Sequence, residues 1–256
     1  MNPPVPVNAW LAELSDIARR AGAVVMEVYA GEWHLRTKAD SSPVTEADEL
    51  AEALIAAALA SMAPHIPMVA EEAFADGRSP AVGERFWLVD PLDGTREFIQ
   101  RNGEFTVNIG LIDHGHPVLG VVYAPAIDRL FTGAIGHGAW VEDAQGHRDI
   151  RCRVAPAEGI TVLASRSHGD ESALKEFLQG RHVAETRYSG SSLKLCLLAE
   201  GQADLYPRFG RTMEWDTAAG HAVLSAAGGH VSDLSGDELR YGKPGFENPN
   251  FVASRR

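Results

Sequence analysis

The chain has 256 residues, is 45% hydrophobic and carries a formal net charge of −12. That length buries a substantial core in one large domain or two lobes, and the negative balance argues against a protein that grips nucleic-acid backbones, which needs clustered Lys and Arg. Two unpaired-looking cysteines, Cys152 and Cys196, suggest neither a disulfide framework nor a thiolate zinc site.

MNPPVPVNAW at the N-terminus lacks the basic and apolar regions of a signal peptide, and LIAAALASMA is too short to span a bilayer. A cytoplasmic protein without an integral membrane segment is the expectation. Apolar residues at spacings of three and four (Trp10, Leu11, Leu14, Ile17, Ala18, Ala21, Val25, Val28) predict a helix over 7–28. A second helix starts near Thr45 and runs through ADELAEALIAAALASM, with residues 31–44 irregular or a hairpin. Ile66–Ala70 and Phe86–Asp90 read as short buried strands, ending at Glu71 and Glu72 and at Asp90 and Asp93.

From Glu104 to Ala124, alternation around a Gly-His-Pro turn predicts a hairpin, and FTGAIGHGAWVED continues in the same antiparallel style. His114, His116 and His147 fall in evident turns. Near Ala155 the character changes: TVLASRS reads as a strand, ESALKEFLQG and SLKLCLLAEG as helices, ADLYPRF as a strand and DTAAGHAVLSAAGG as a helix. A lobe boundary is placed near residue 153, giving an N-terminal lobe of residues 1–152 and a C-terminal lobe of residues 153–256.

Carboxylates stand at four separate element ends: Asp48, Glu71, the pair Asp90 and Asp93, and Asp216. Each has a plain structural explanation. Asp48 follows Thr45 at capping-box spacing, Asp216 suits the N-cap of the helix after it, Glu71 and Glu72 suit a solvated loop, and Pro with Asp-Gly makes a turn. Together they imply a convergence of negative charge that hard divalent cations resolve, since Mg²⁺ prefers carboxylate and carbonyl oxygens and keeps positions open for phosphate. A proline bend would present Asp90, the Leu92 carbonyl and Asp93 as ligands, with Gly94 letting the backbone approach phosphate. No GxxxxGK[ST] loop, HExxH or GxSxG occurs.

DPLDGT, the upstream EE pair and WDTAAG resemble the three signature regions of the lithium-sensitive, Mg²⁺-dependent phosphatase superfamily that includes the inositol monophosphatases. WLVDPLDGTREFIQRNGEFTVNIGLIDHGHPVLGVVYAP, SRSH, GSSLKLCLLAEGQADLYPRFG and MEWDTAAGHAVLSAAGG resemble its CysQ-type 3'(2'),5'-bisphosphate nucleotidases, over a span from about residue 40 onward. The resemblance implies an α/β (α+β) fold, the layered αβαβα sandwich of the inositol monophosphatase/fructose-1,6-bisphosphatase type. It implies two or three Mg²⁺ ions held by Glu71, Asp90, the Leu92 carbonyl, Asp93 and Asp216. Asp48 and Thr95 would orient the attacking water with Glu71, and the Gly94 and Thr95 amides would contact phosphate. His168, Ser191, Lys194 and Arg208 would surround the nucleotide and its second phosphate, and Glu214 would face the substrate.

The activity so implied is in-line hydrolysis of the 3'-phosphate of adenosine 3',5'-bisphosphate by a metal-activated water, giving AMP and phosphate, with phosphoadenosine phosphosulfate as a second substrate. Lithium sensitivity comes with the same resemblance. Competing readings are an inositol monophosphatase or broader sugar-phosphate phosphatase, and a catalytically silent phosphate-binding regulator. The last needs a damaged metal set, and all the positions are intact here. The expected partner is a small phosphorylated nucleotide; a monomer or homodimer, and peripheral inner-membrane association, stay open.

Overall fold

The computed structural model describes residues 5–31, 36–37, 43–166 and 169–256. Helices α1 (Val7–Ala30) and α2 (Glu46–Met62) are joined by a stretch in which β1 (Arg36–Thr37) pairs antiparallel with β2 (Pro43–Val44). The rest of that predicted irregular segment lies outside the described residues. Strand β3 (Met68–Ala70), helix α3 (Glu71–Ala75), strand β4 (Arg85–Asp93) and helix α4 (Thr95–Ile99) follow. Then come β5 (Thr106–Asp113), β6 (His116–Ala124), β7 (Arg129–Ala134), β8 (Gly138–Asp143) and β9 (Gly146–Asp149). The remainder alternates: β10 (Ile160–Ser165), α5 (Glu171–Phe177), β11 (Val183–Ser189), α6 (Leu193–Ala199), β12 (Leu205–Arg208), β13 (Thr212–Met213), α7 (Glu214–Ala226), β14 (Gly229–Asp233), β15 (Glu247–Asn248) and β16 (Phe251–Arg255).

Two sheets carry the architecture. Strands β3 to β9 form a seven-stranded sheet in sequence order, antiparallel except for β3 beside β4. The second sheet has five strands in the order β11-β10-β12-β16-β14. One face of the first sheet receives α1 and α2, whose stripe of Leu14, Ile17, Ala21, Val25, Ile55 and Leu59 is fully withdrawn from water. Its other face receives α7, which together with α6 also packs on the second sheet. The short α5 connects the parallel pair β10 and β11, and Phe177 touches Phe209 at a ring separation of 5.6 Å. This is the αβαβα sandwich. A single apolar cluster runs from Leu88 and Val122 through Leu195 and Val223 to Phe251, so the two sheets share one core.

The seat of α7 is made by glycine. Gly110, Gly120 and Gly133 lie side by side in register on β5, β6 and β7. A Cβ on Gly110 would meet the Ala219 amide at 2.9 Å, one on Gly133 would meet the Val223 Cα at 2.7 Å, and one on Gly120 would intrude on the Ala219 carbonyl. On the opposite side of the helix, Gly220 takes the Leu195 side chain at similarly close range. Small residues here let backbone approach backbone, as packing at interior density requires.

Two sequence expectations change. The strand predicted to stop at Asp90 continues to Asp93 as β4, because Pro91 sits in a bulge between Asp90 and Asp93 rather than in a closing turn. The last long helix begins at Glu214, not after Asp216, so Asp216 occupies its third position. Strands β9, β11, β13, β14, β15 and β16 and the short helix α3 were not anticipated, and His116 and His147, expected in turns, lie in β6 and β9.

Replacing Gly120 by Ala forces backbone apart along α7. We expect G120A to lose about 3 kcal/mol of stability, read from denaturant midpoints, whereas G136A, in open space on a surface turn, loses less despite its positive φ.

Candidate active site

Three chain segments bring carboxylates to one point. Oxygen atoms of Glu71, at the head of α3, of Asp90, within β4, and of Asp216, in the first turn of α7, lie within 4.8 Å of one another. Asp90 is buried. Its Oδ1 accepts the Leu92 amide at 3.0 Å, which folds the Pro91 bulge around the side chain. Asp93 stands beyond the bulge, where its Oδ2 accepts the Ser192 amide in a short hydrogen bond and the Asn108 Nδ2 at 3.4 Å. That bond ties the first half of the chain to the loop before α6.

Asp48 and Asp216 each serve two ends. Asp48 Oδ2 accepts the Thr45 amide and hydroxyl, both at 2.8 Å, closing the capping box of α2. Its Oδ1 accepts the Thr95 hydroxyl at 3.3 Å. Asp216 Oδ2 likewise accepts the Met213 amide at 2.8 Å, while the residue still reaches the acidic group. Asp48 thus caps α2 with one oxygen and meets Thr95 with the other, and Asp216 caps α7 while staying within the acidic group.

The cleft around this group holds about 1220 Å³ and is lined from both halves, by Glu71, Asp90, Leu92, Asp93, Gly94, Thr95 and Asp216 and by Ser191, Lys194 and Arg208. Gly94 has φ 92°, the left-handed conformation that favours glycine, and turns the chain from β4 into α4 at Thr95. Lys194 is buried, donating Nζ to the Ser189 and Ser191 carbonyls at 3.1 and 2.6 Å. Burial lowers its pKa to about 8 against the pull of Asp93. Arg208 is also buried and donates to the Arg211 carbonyl at 3.1 Å.

Two residues of the expected set stand apart. His168 lies outside the described residues. Glu214 is fully buried and does not line the cleft; its carboxylate accepts the Gly242 and Lys243 amides at 2.7 and 2.9 Å and the Lys243 ammonium at 2.6 Å. In that position it anchors residues 242 and 243 to the start of α7. Conversely, Asn108 and Ser192 were missed. Asn108 interrupts the apolar run VNIGL, and a buried amide within a strand core is the signal that could have marked it. Its Oδ1 accepts the Ser192 hydroxyl at 2.7 Å.

Electrostatics argue for a cation. Burial first, then the charges of Glu71, Asp93 and Asp216, pushes Asp90 well above the usual carboxylate range. Asp216 is raised in the same way, by burial and then by Asp93 and Glu71. Burial raises Asp93 to about 6 even though Lys194 and the Ser192 amide oppose it. Hard oxygen donors crowded this closely, with phosphate-sized space beside them, fit a divalent ion of the Mg²⁺ class.

The family profile described as Inositol monophosphatase family matches residues 8–255. The chain belongs to the inositol monophosphatase family. Among relatives in this family, the 3'(2'),5'-bisphosphate nucleotidase CysQ of Escherichia coli strain K12 is 49% identical over 247 residues, covering 95% of this chain and 99% of the relative. CysQ of Buchnera aphidicola is 42% identical, covering 96% and 95%. The crystal structure of CysQ from Bacteroides thetaiotaomicron superposes with a TM-score of 0.81 at 36% identity, covering 97% and 98%. An inositol monophosphatase from Thermotoga maritima gives 0.80 at 26%, covering 96% and 92%. No helix among the described residues of this family member is long and apolar enough to cross a membrane.

Raised pKa values in the folded state mean that the metal-free protein holds protons which the unfolded chain has already released. Stability from Asp90, Asp93 and Asp216 is therefore fully present below about pH 4 and is lost as pH rises through their raised values. A cation that binds only the folded state relieves this. The gain in Tm on adding Mg²⁺ to EDTA-treated protein is expected to grow from pH 5.5 to pH 8, and Asp90→Asn is expected to flatten that growth in the same scanning calorimetry.

Proposed function

We propose that this chain is a Mg²⁺-dependent 3'(2'),5'-bisphosphate nucleotidase that removes the 3'-phosphate of adenosine 3',5'-bisphosphate, giving AMP and phosphate. The observation that carries this reading is the near full-length similarity to CysQ nucleotidases, joined to a cleft where buried carboxylates face Lys194 and Arg208. Phosphoadenosine phosphosulfate fits the same site as a second substrate. A cytoplasmic setting agrees with two free cysteines, Cys152 and Cys196.

Two or three Mg²⁺ ions would be held by Glu71, Asp90, the Leu92 carbonyl, Asp93 and Asp216. Bound there, such ions supply Lewis-acid neutralisation of phosphoryl charge and make a water acidic enough to attack at neutral pH. The remaining work falls to the chain. Asp48 accepts the Thr95 hydroxyl proton through Oδ1 and so turns a lone pair of Thr95 toward the attacking water. A threonine is too weak a base alone; with its direction set by a carboxylate it fixes the water in line with the phosphorus. Glu71 would hold the same water from the other side. Gly94 and Thr95 amides would contact the phosphate, and Lys194 and Arg208 would balance the second phosphate.

Phosphate release from adenosine 3',5'-bisphosphate, inositol 1-phosphate and fructose 1,6-bisphosphate, each with and without Mg²⁺, tests the reading. Fastest turnover is expected on the nucleotide, with none in EDTA. A preference for inositol 1-phosphate would overturn the substrate, and silence across the panel would favour a phosphate-binding regulator. Thr95→Ala is expected to lower kcat by about 100-fold with KM little changed. Asp93→Asn should remove turnover while circular dichroism stays native, because the amide keeps an oxygen for the Ser192 N–H but loses the charge that would hold a cation.

A further inference from the structure

Glu52 belongs to none of the motifs, yet it touches the metal site's scaffold. It lies one helical turn after Asp48 on α2, so both carboxylates leave the same face of one helix. Its side chain is buried and lines the cleft. Oε2 accepts the Glu72 amide at 2.8 Å and Oε1 accepts the Ala73 amide at 2.9 Å. Those are the second and third amides of α3, the helix whose first residue is Glu71.

Helix starts leave such amides without internal partners. Residue 70, the N-cap of α3, is alanine and offers no side-chain hydrogen bond. A serine or asparagine there would satisfy an amide locally and without charge. The chain instead reaches across from α2 with another carboxylate, beside a cluster that is already anionic. What this arrangement achieves, and a local cap would not, is a fixed relation between two helices: the backbone carrying Glu71 is clamped to the same rigid element that holds Asp48 against Thr95.

We propose that Glu52 is a positioning residue, which holds the Glu71 backbone so that its carboxylate joins Asp90 and Asp216 and thereby sets the affinity for the divalent cation. The inference rests on the metal-dependent reading of the site. Glu52→Gln keeps size but offers one acceptor, and turns an N–H₂ toward the second amide. Glu52→Asp keeps charge but shortens the reach.

Mn²⁺ titration of the purified full chain, followed by electron paramagnetic resonance without substrate, reads the effect directly. Both variants are expected to bind Mn²⁺ about tenfold more weakly than wild type, and to need correspondingly more Mg²⁺ to reach half of their own maximal activity. If Glu52→Asp binds like wild type and only Glu52→Gln is weakened, charge rather than positioning is at work and the proposal fails. Lowered Tm with unchanged Mn²⁺ affinity in either variant leaves only a structural role and also overturns it. Should wild type itself bind no Mn²⁺, the metal-dependent reading falls first and takes this inference with it, an outcome distinct from both others.

Discussion

The depth to which α7 sinks into the first sheet decides where Asp216 lies. Gly110, Gly120 and Gly133 form a row with no side chains across three adjacent strands, and the backbone at Ala219 and Val223 rests directly on it. Larger residues in that row would lift the helix, and its first turn would carry Asp216 away from Asp90 and Glu71. Because the same helix also faces α6 through Gly220 and Leu195, the loop bearing Ser191 and Ser192 is set relative to the same axis. The core packing of one helix thus fixes the distance between carboxylates more than a hundred residues apart.

Crowded carboxylates are costly to bury, and the structure divides their oxygens to make the crowding stable. On Asp48, Asp90, Asp93 and Asp216, one oxygen is pinned by a backbone amide. Each pinned oxygen gains a charge-assisted hydrogen bond and loses its freedom to rotate away. The partner oxygen then points without further entropy loss, which is how preorganised sites favour ions and developing charge. At Asp93 the amide comes from Ser192, and the Lys194 charge acts on the same carboxylate.

Much of the first half was legible because periodicity and chemistry agree there. The apolar stripe of α1 and the Thr45–Asp48 spacing of α2 mark elements that local sequence decides. DPLDGT marked an acidic bend, although its proline was read as a turn whereas register with β5 continues through the bulge. Less was legible toward the C-terminus. β11, VAETRYS, lies at the sheet edge and exposes nearly every side chain, so it shows no alternation; β14 and β16 are five residues each, and β15 only two. Within the site, Ser192, Asn108 and Glu52 act through contacts to residues 15 to 99 positions away, which no local pattern encodes. Glu214 differs again: it lies two positions before Asp216 in sequence, yet its carboxylate is held by Lys243 and does not line the cleft.

Strand β16 lies between β12 and β14, antiparallel to both. During synthesis the second sheet therefore stays split until Phe251–Arg255 has emerged, and the apolar faces of α6 and α7 that rest on it wait uncovered. A nascent chain that stops short of β16 already carries Glu71, Asp90 and Asp216 but lacks the strand that closes the sheet behind them. Fragments truncated before residue 251 would therefore be ready clients for chaperones or proteases.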